Sequence, residues 1–368
     1  MPDTEVAERA LERRKATREQ FDDTAYVRLT DAFEGWPRGT VFLEGGPIVP
    51  GYPSIGRVLN LEHGLGQHFR APFHAEEKID GFNVRVVRHG DRCLAFSRGG
   101  FVCPFTTDRL PDLMDLSLFE AHPQQVVCAE VAGPGNPYLE GHPPEIDEDV
   151  RLLAFDLMAQ GSLEFLEVPE KRERLAGFGV PMVPYHGRYT AEQAGELQAL
   201  VGELDARGIE GVVLKEEGDR RKRAKYVTPA SVVQDLSAMG DALLDLPPEY
   251  FTNRLLRLVL ILEEAPELDR DRLRHELGSA LIDPLLRSAR EHRETHKVAH
   301  AFCCRFRHRE NAERFAEHLR RVPQREIHAR VQSLEQGEDG YWELRFDRIF
   351  PRVSGLLGNF LTGGQVYD

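Results

Sequence analysis

Six residues of this 368-residue chain have the types and settings that phosphate chemistry needs: Lys78, Arg98, Glu130, Glu210, Lys215 and Lys225. Lys78 lies in Glu77-Lys78-Ile79-Asp80-Gly81-Phe82-Asn83-Val84-Arg85, where one apolar-alternating run ends and another begins. The Asp-Gly pair predicts a tight turn between two strands. A lysine amine held at such a turn against a phosphate is a nucleophile once its proton is lost. Alone, Lys-x-Asp-Gly equally suits a surface hairpin with no chemistry.

Four further segments extend the pattern. In Phe96-Ser97-Arg98-Gly99-Gly100 an arginine ends a strand, where its fork suits a phosphate or ribose, or simply solvent. Glu130 sits in the apolar strand Cys128-Ala129-Glu130-Val131, and a carboxylate there needs a partner: ribose hydroxyls, a metal ion or an internal salt bridge. In Leu153-Ala154-Phe155-Asp156 an aromatic sits beside an acid, and Phe155 suits either a purine stack or a core. Glu210-Gly211-Val212-Val213-Leu214-Lys215 is followed after a turn by Arg223-Ala224-Lys225-Tyr226, two strands whose lysines are placed to flank a triphosphate. Glu210 and Lys215 are an odd number of residues apart, so on an ideal strand they face opposite sides.

The choice of basic residues sharpens the pattern. Lysine occurs seven times, and arginine makes up the rest of the 47 basic residues. Arginine stays protonated and cannot be a nucleophile, so a chain this biased keeps lysine where arginine cannot serve. Lys78, Lys215 and Lys225 fall in the segments above, and Lys222 immediately precedes the last of them.

Length allows two to four domains. Five cysteines without regular spacing argue against a disulfide framework and for a reducing cytoplasm. No signal peptide is apparent, and the longest apolar run, Leu258 to Leu262, is too short for a bilayer. The net charge of -14 reads as a salt-adapted surface or as ordinary solubility, and neither excludes nucleic acid, which needs only a local basic patch.

The elements that must position these residues follow from periodicity. Residues 4–22 predict a solvated helix, and 25–61 a small β-rich unit with a Gly/Pro loop over 45–56. Strands are expected at 73–78, 82–88, 93–97, 125–131 and 151–158 as an antiparallel meander, with a helix at 108–121 and a loop at 133–144. Helices start at Pro169 and at Thr190, where Gln193 completes a capping box. Strands 209–216 and 222–227 follow. Residues 248–264 and 270–293 have helical spacing, with Pro284 expected to break or kink the second. Their wide apolar stripe suits self-association or packing on the same chain. A helix at 309–320 and a hairpin of 325–334 with 342–350 close the chain, with His328, Arg330 and Arg345 as a basic strip. His296, His300, Cys303, Cys304 and His308 are weak zinc candidates without a paired CxxC.

Together the ordered segments Lys-Ile-Asp-Gly, Ser-Arg-Gly, Ala-Glu-Val, Ala-Phe-Asp, Glu-Gly-Val-Val-Leu-Lys and Lys-Tyr resemble the covalent nucleotidyltransferase superfamily of ATP-dependent ligases and capping enzymes. Phe-Asn-Val-Arg after Lys-Ile-Asp-Gly, Gly-Pro-Gly-Asn-Pro-Tyr at 133–138 and the helical, then α+β, C-terminal region most resemble the archaeal-type ATP-dependent RNA ligases. The resemblance spans essentially the whole chain, most specifically 73–227. It implies an α+β fold: an antiparallel nucleotidyltransferase domain (64–234), an N-terminal β-rich module (1–63), a helical dimerisation domain (235–300) and a small α+β domain (301–368).

The resemblance also implies roles. Lys78 attacks the α-phosphorus of ATP to form a lysyl–AMP. Glu130 and Arg98 hold the ribose and phosphate side, Phe155 stacks adenine, and Glu77 and Arg85 join the cofactor-binding set. Glu210 binds the catalytic metal, Mg²⁺ or Mn²⁺, with Glu130 as a second ligand. Lys215 and Lys225 neutralise the α-phosphate, and Asn83 serves the later steps on nucleic acid. The partners implied are ATP, single-stranded RNA with a 5′-phosphate and a 3′-hydroxyl, and a second copy of the chain. One position departs from the pattern, since Arg223 stands where the family offers a lysine. A DNA ligase or capping enzyme is the rival within the superfamily, although residues 231–300 read helical where those families place an OB-fold. A nucleotide- or RNA-binding protein with a degenerate site is the rival outside it.

Overall fold

In a computed structural model, residues 2–265, 268–321 and 328–365 are described. The chain opens with α1 (Pro2–Glu12), β1 (Ala16–Phe21) and β2 (Thr24–Leu29). The helix expected over 4–22 thus ends at Glu12. Arg14 takes a left-handed φ of 56°, and the residues after it gain a strand partner in β2, which overrides helix propensity. With β3 (Val41–Leu43) and β4 (Ile48–Val49) they form a sheet of order β1-β2-β3-β4.

Next come β5 (Gly56–Arg57), α2 (Leu61–His68), β6 (Phe73–Lys78), β7 (Phe82–His89), β8 (Arg92–Ser97), α3 (Pro104–Leu113), α4 (Leu118–Ala121), β9 (Gln125–Ala132) and β10 (Arg151–Ala159). They are followed by α5 (Val168–Gly177), β11 (Tyr185–Tyr189), α6 (Ala194–Ala206), β12 (Gly211–Glu216) and β13 (Arg223–Val227). Two sheets result, of order β10-β9-β7-β8 and β11-β6-β12-β13-β5. Pairing is antiparallel except between β13 and β5. The single helix expected at 108–121 is two, separated at Met114, whose backbone is extended. The capping box of Thr190 and Gln193 is formed, on a 3-10 turn that leads into α6.

The Asp80-Gly81 turn is the main correction. β6 and β7 are not a hairpin; they belong to different sheets, and Ile79 to Gly81 carries the chain across. Gly81 is needed for close approach, because a Cβ there would lie 2.6 Å from the Val131 carbonyl oxygen and 2.8 Å from Glu130 Cγ. The crossing puts Lys78 at the seam of the two sheets.

Arg85, expected in the cofactor-binding set, is fully buried and is not among the residues that line the cleft described below. Its guanidinium donates to the carbonyls of Gly39 (2.9 Å), Pro50 (2.6 Å) and Ser97 (2.6 Å), stapling the N-terminal module to β7 and β8. Each such charge-assisted bond contributes about 1.5–3 kcal/mol. Tyr26, Val41 and Leu43 pack on Val87, Leu94 and Phe96 at the same junction.

The C-terminal part comprises α7 (Pro229–Ala238), α8 (Glu249–Glu264), α9 (Arg270–Thr295), β14 (Ala299–Phe306), α10 (Arg309–Arg321), β15 (His328–Gln336), β16 (Trp342–Ile349) and α11 (Pro351–Leu361). Residues 325–327 of the expected hairpin lie outside the described residues. The exposed His328, Arg330 and Arg345 are on β15 and β16, and Arg345 is occupied by Glu343 at 2.7 Å. Pro284 does not break α9; it is buried against Gly240, and the helix runs through it.

β14 was not foreseen. It pairs with β16, and its alternation buries Phe302, Cys304 and Phe306. The same alternation turns Cys303 and Cys304 apart, while His300 is 2.7 Å from Asp241 and His308 is 2.7 Å from Asp108. Among the described residues no cluster of three metal donors forms, so the zinc reading fails. The inner faces of α8 and α9 share a core with β6, β12 and β13, through Leu258, Ile261 and Ala280. Their outer faces leave Leu256, Val259 and Ile282 exposed at 63%, 60% and 58%. Among the described residues no helix is long and apolar enough to cross a membrane.

Candidate active site

Strand register brings the chemistry to one sheet face. Residues two apart on a strand share a side, so Glu76 and Lys78 of β6 share one, as do Val213 and Lys215 of β12 and Arg223 and Lys225 of β13. Val213 lies between Glu76 and Lys225, and Lys215 is paired with Arg223. This charged face meets β10 and β9 of the other sheet. The cleft between them is lined by Lys78, Asn83, Arg98, Glu130, Phe155, Lys215 and Lys225, with Glu76, Glu77, Tyr52 and Ile55.

Glu210 joins this face because it is not on the strand. β12 begins at Gly211, whose φ is +143° and where a Cβ would lie 2.2 Å from the Tyr226 carbonyl oxygen. Only glycine tolerates both, and the bend aims Glu210 at Lys78. The spacing problem read from the sequence is removed. Lys78 Nζ donates to Glu210 Oε2 at 2.5 Å. Burial disfavours the ammonium, but Glu210 and then Glu130 outweigh it, so the Lys78 pKa is raised.

A β-bulge between Ala154 and Asp156 leaves Phe155 without a cross-strand partner. It lets adjacent residues serve one site. Phe155 enters the cleft, its ring 5.3 Å from that of Tyr52, while Asp156 is fully buried behind it. Lys215 Nζ donates to Glu76 (2.7 Å), the Phe155 carbonyl (2.6 Å) and Asp156 (3.0 Å). Arg223 reaches Asp156 with two nitrogens at 3.2 Å, and its guanidinium stacks on Phe165 at 3.7 Å. It holds a carboxylate opposite Lys215 and is turned away from the cleft lining.

Two members of this network were missed in the sequence. Tyr52, in the Gly/Pro loop, donates to Asp156 at 2.7 Å; no periodicity marks it. Lys171 of α5 is fully buried and donates to both Glu76 oxygens (2.7 and 2.5 Å) and to the Phe155 carbonyl (2.6 Å). The scarcity of lysine was the signal that could have found it. Burial and then Lys215 push its pKa down to about 7.

The other expected residues divide. Arg98 is exposed at the lip of the cleft. The Glu77 carboxylate is 3.2 Å from His186 Nε2 on the far side of β6. Asn83 and Glu130 are cross-strand partners. Asn83 Oδ1 is buried with no partner, and burial, with help from Glu210 and Asp80, pushes Glu130 up to about 8 despite Lys78. An orphaned acceptor beside crowded carboxylates fits a divalent cation. No cluster of three metal donors forms among the described residues. A cation would therefore be held by Glu210 or Glu130 together with water and substrate oxygens, as Mg²⁺ commonly is.

Known proteins resemble the chain over its full length. A family model described as RNA ligase matches residues 71–227, and one described as Ligase Pab1020 C-terminal region matches 241–364. Two solved structures named archaeal ATP-dependent RNA ligase, forms 1 and 2, are 27% and 28% identical, with both chains covered completely and a TM-score of 0.88 for each. A structure from Aquifex aeolicus named "Putative ATP-dependent DNA ligase" is 43% identical over 99% of this chain and 100% of its own, with a TM-score of 0.93. The chain belongs to the archaeal-type ATP-dependent RNA ligase family. An uncharacterized protein of Methanocaldococcus jannaschii is 23% identical over 96% of this chain and 92% of its own.

If Lys225 holds a phosphate of ATP, it is expected to set a pH dependence. Burial, then Lys78 and Arg57, push its pKa down to about 8. Bound phosphate favours the ammonium, so affinity is full below pH 8 and falls above it as the free enzyme loses that proton. Titration with a non-reactive ATP analogue is expected to show this loss between pH 8 and 9.5. Lys225→Arg, which stays charged, is expected to flatten the curve; a wild-type curve already flat would contradict the assignment.

Proposed function

We propose that this chain seals RNA ends in three displacements at phosphorus. The Lys78 nitrogen forms a bond to the α-phosphorus of ATP, loses its proton, and pyrophosphate leaves with the electron pair of the broken P–O bond. A 5′-phosphate oxygen of RNA then takes the AMP and releases the lysine amine. Finally the 3′-hydroxyl attacks that 5′-phosphorus, gives up its proton and expels AMP. Lys215 and Lys225 offset charge on the α-phosphate, and positioning of this kind supplies most of the catalysis. Phe155 stacks adenine, Arg98 and Glu130 hold the ribose and phosphate side, and Asn83 serves the steps on nucleic acid. Glu210, with Glu130 as a second ligand, would hold Mg²⁺ or Mn²⁺ together with water and substrate oxygens, and the ion would supply further charge neutralisation at the phosphates.

The observation that carries this reading is the charged face of the β6–β12–β13 sheet. It presents a cleft-lining lysine nucleophile with two more lysines and a carboxylate about it. RNA is favoured as substrate by the family model over 71–227 and by the two full-length archaeal RNA ligase structures. The Aquifex aeolicus relative, at 43% identity, favours DNA as the second reading. The divisions at residues 63, 234 and 300 are likewise proposed, as is a cytoplasmic setting, which the unpaired cysteines support.

Incubation with α-labelled ATP and Mg²⁺ is expected to label the wild type covalently and to leave Lys78→Ala unlabelled; label surviving in the variant would exclude Lys78. Addition of 5′-phosphorylated RNA or DNA strands then reads the substrate, with RNA expected to be sealed at least tenfold faster.

A homodimer through α8 and α9 is proposed from their exposed leucine, valine and isoleucine side chains. Sedimentation at micromolar concentration is expected to give a dimer for the wild type and a monomer for Leu256→Glu/Val259→Glu. A monomeric wild type would remove the proposal.

A further inference from the structure

A second cavity, of about 730 Å³, opens on the C-terminal side of the cleft and shares Lys78 and Lys225 with it. Its walls come from β5, β13, the loop at 139–142 and helices α7 and α8. The charges on these walls do not balance locally. Glu140 is taken by Arg348 (2.5 Å), Asp235 by Arg254 (2.8 Å) and Glu210 by Lys78 (2.5 Å). Asp80 is pushed up to about 7 by burial and then by Glu210 and Asp235, so it carries only part of a charge near neutral pH. Among the described residues, Arg57, Lys225 and Arg257 are left without an ion-pair partner, all half-buried.

Their arrangement makes this costly. Arg57 and Lys225 are paired directly across the parallel strands β5 and β13, and like charges placed so repel. Arg57 Nη1 is buried with no hydrogen-bond partner. Arg257 enters from α8, one turn beyond Arg254 and next to Leu258, whose burial fixes that turn of the helix against the core. Burial and then Arg257 push Arg57 down to about 10, while burial and then Arg254 lower Arg257. Three partly desolvated cations from three elements, with an unfilled donor among them, are what an anion would stabilise.

The geometry points to a phosphate-binding subsite formed by Arg57 and Arg257 beside Lys225, on the far side of Lys78 from Phe155. It rests on the ligase reading for its substrates. On that reading the anion has two possible sources: the terminal phosphates of ATP as they become pyrophosphate, and the 5′-phosphate of the nucleic-acid strand. Both are multiply charged oxyanions that suit a guanidinium fork. Either source makes the helical C-terminal region part of the active site, because Arg257 is supplied by α8.

The test uses the full chain with Arg57→Gln and Arg257→Gln, singly and combined; Arg257→Gln, on an amphipathic helix, keeps the test readable if Arg57→Gln unfolds. One arm measures transfer of labelled AMP from subsaturating ATP to the protein. The other starts from purified adenylylated protein and measures AMP transfer to a 5′-phosphorylated strand. At least a tenfold loss in the first arm alone identifies the ATP tail, in the second alone the strand end, and in both a site used by each in turn. A folded variant within twofold of wild type in both arms overturns the proposal. Titration with inorganic pyrophosphate gives a readout independent of activity, with binding expected to weaken at least tenfold in a folded variant. If the wild type takes no label, the ligase reading has failed by itself, and unchanged pyrophosphate binding in the variant would then overturn the subsite.

Discussion

The structure depends on one competition, that between Lys78 and Glu210. The proposed lysine nucleophile must be neutral at the moment of attack, yet Lys78 sits 2.5 Å from the Glu210 carboxylate, which favours its charged form. Burial alone would favour the neutral amine, and Glu210 with Glu130 reverses that. The free protein therefore favours the charged form of the proposed nucleophile. The same ammonium can attract a triphosphate before it loses its proton. A cation engaging Glu210 would weaken its hold on Lys78, so the residue that restrains the lysine is also the one a metal would recruit. Burial first, and then the neighbouring carboxylates, push Glu130 up to about 8 and Asp80 up to about 7, so neither offsets the Lys78 ammonium fully near neutral pH.

Behind this pair lies a second, fixed set of charges. Lys171, Lys215 and Arg223 surround Glu76 and Asp156, all nearly inaccessible to solvent. Breaking such a network by removing one member costs about 3–5 kcal/mol, because the remaining charge is stranded. Its placement explains Arg223. The planar fork meets both the Asp156 carboxylate and the Phe165 ring, which a lysine would not do. Arg223 supports Lys215 through Asp156, and Lys225 is left as the β13 cation lining the cleft.

Much of this was legible from side-chain types and order. The strands at 73–78 and 151–158, the capping box at Thr190 and the α+β class follow from period and turn chemistry, because these segments are long and bounded by strong signals. The misreadings share a cause, since each needed tertiary information. Asp80-Gly81 has hairpin chemistry, but Gly81 is spent on close packing against β9. Arg85 stands among site residues, yet its strand position points it into the junction with the N-terminal module. Glu210 and Lys215 face opposite sides of an ideal strand, and only the backbone at Gly211 shows the bend that brings both to one site. Lys171 is remote from every motif, and only its residue type set it apart.

The most direct test is the protonation of Lys78 in the free protein. With only seven lysines, a sample carrying isotope-labelled lysine side chains can be titrated by NMR, with Lys78 assigned through Lys78→Arg. The account predicts that the Lys78 amine titrates above the ordinary lysine value of ~10.4 and that Glu210→Gln lowers it. A Lys78 that titrates at or below that value in the wild type, or is unmoved by Glu210→Gln, would contradict it.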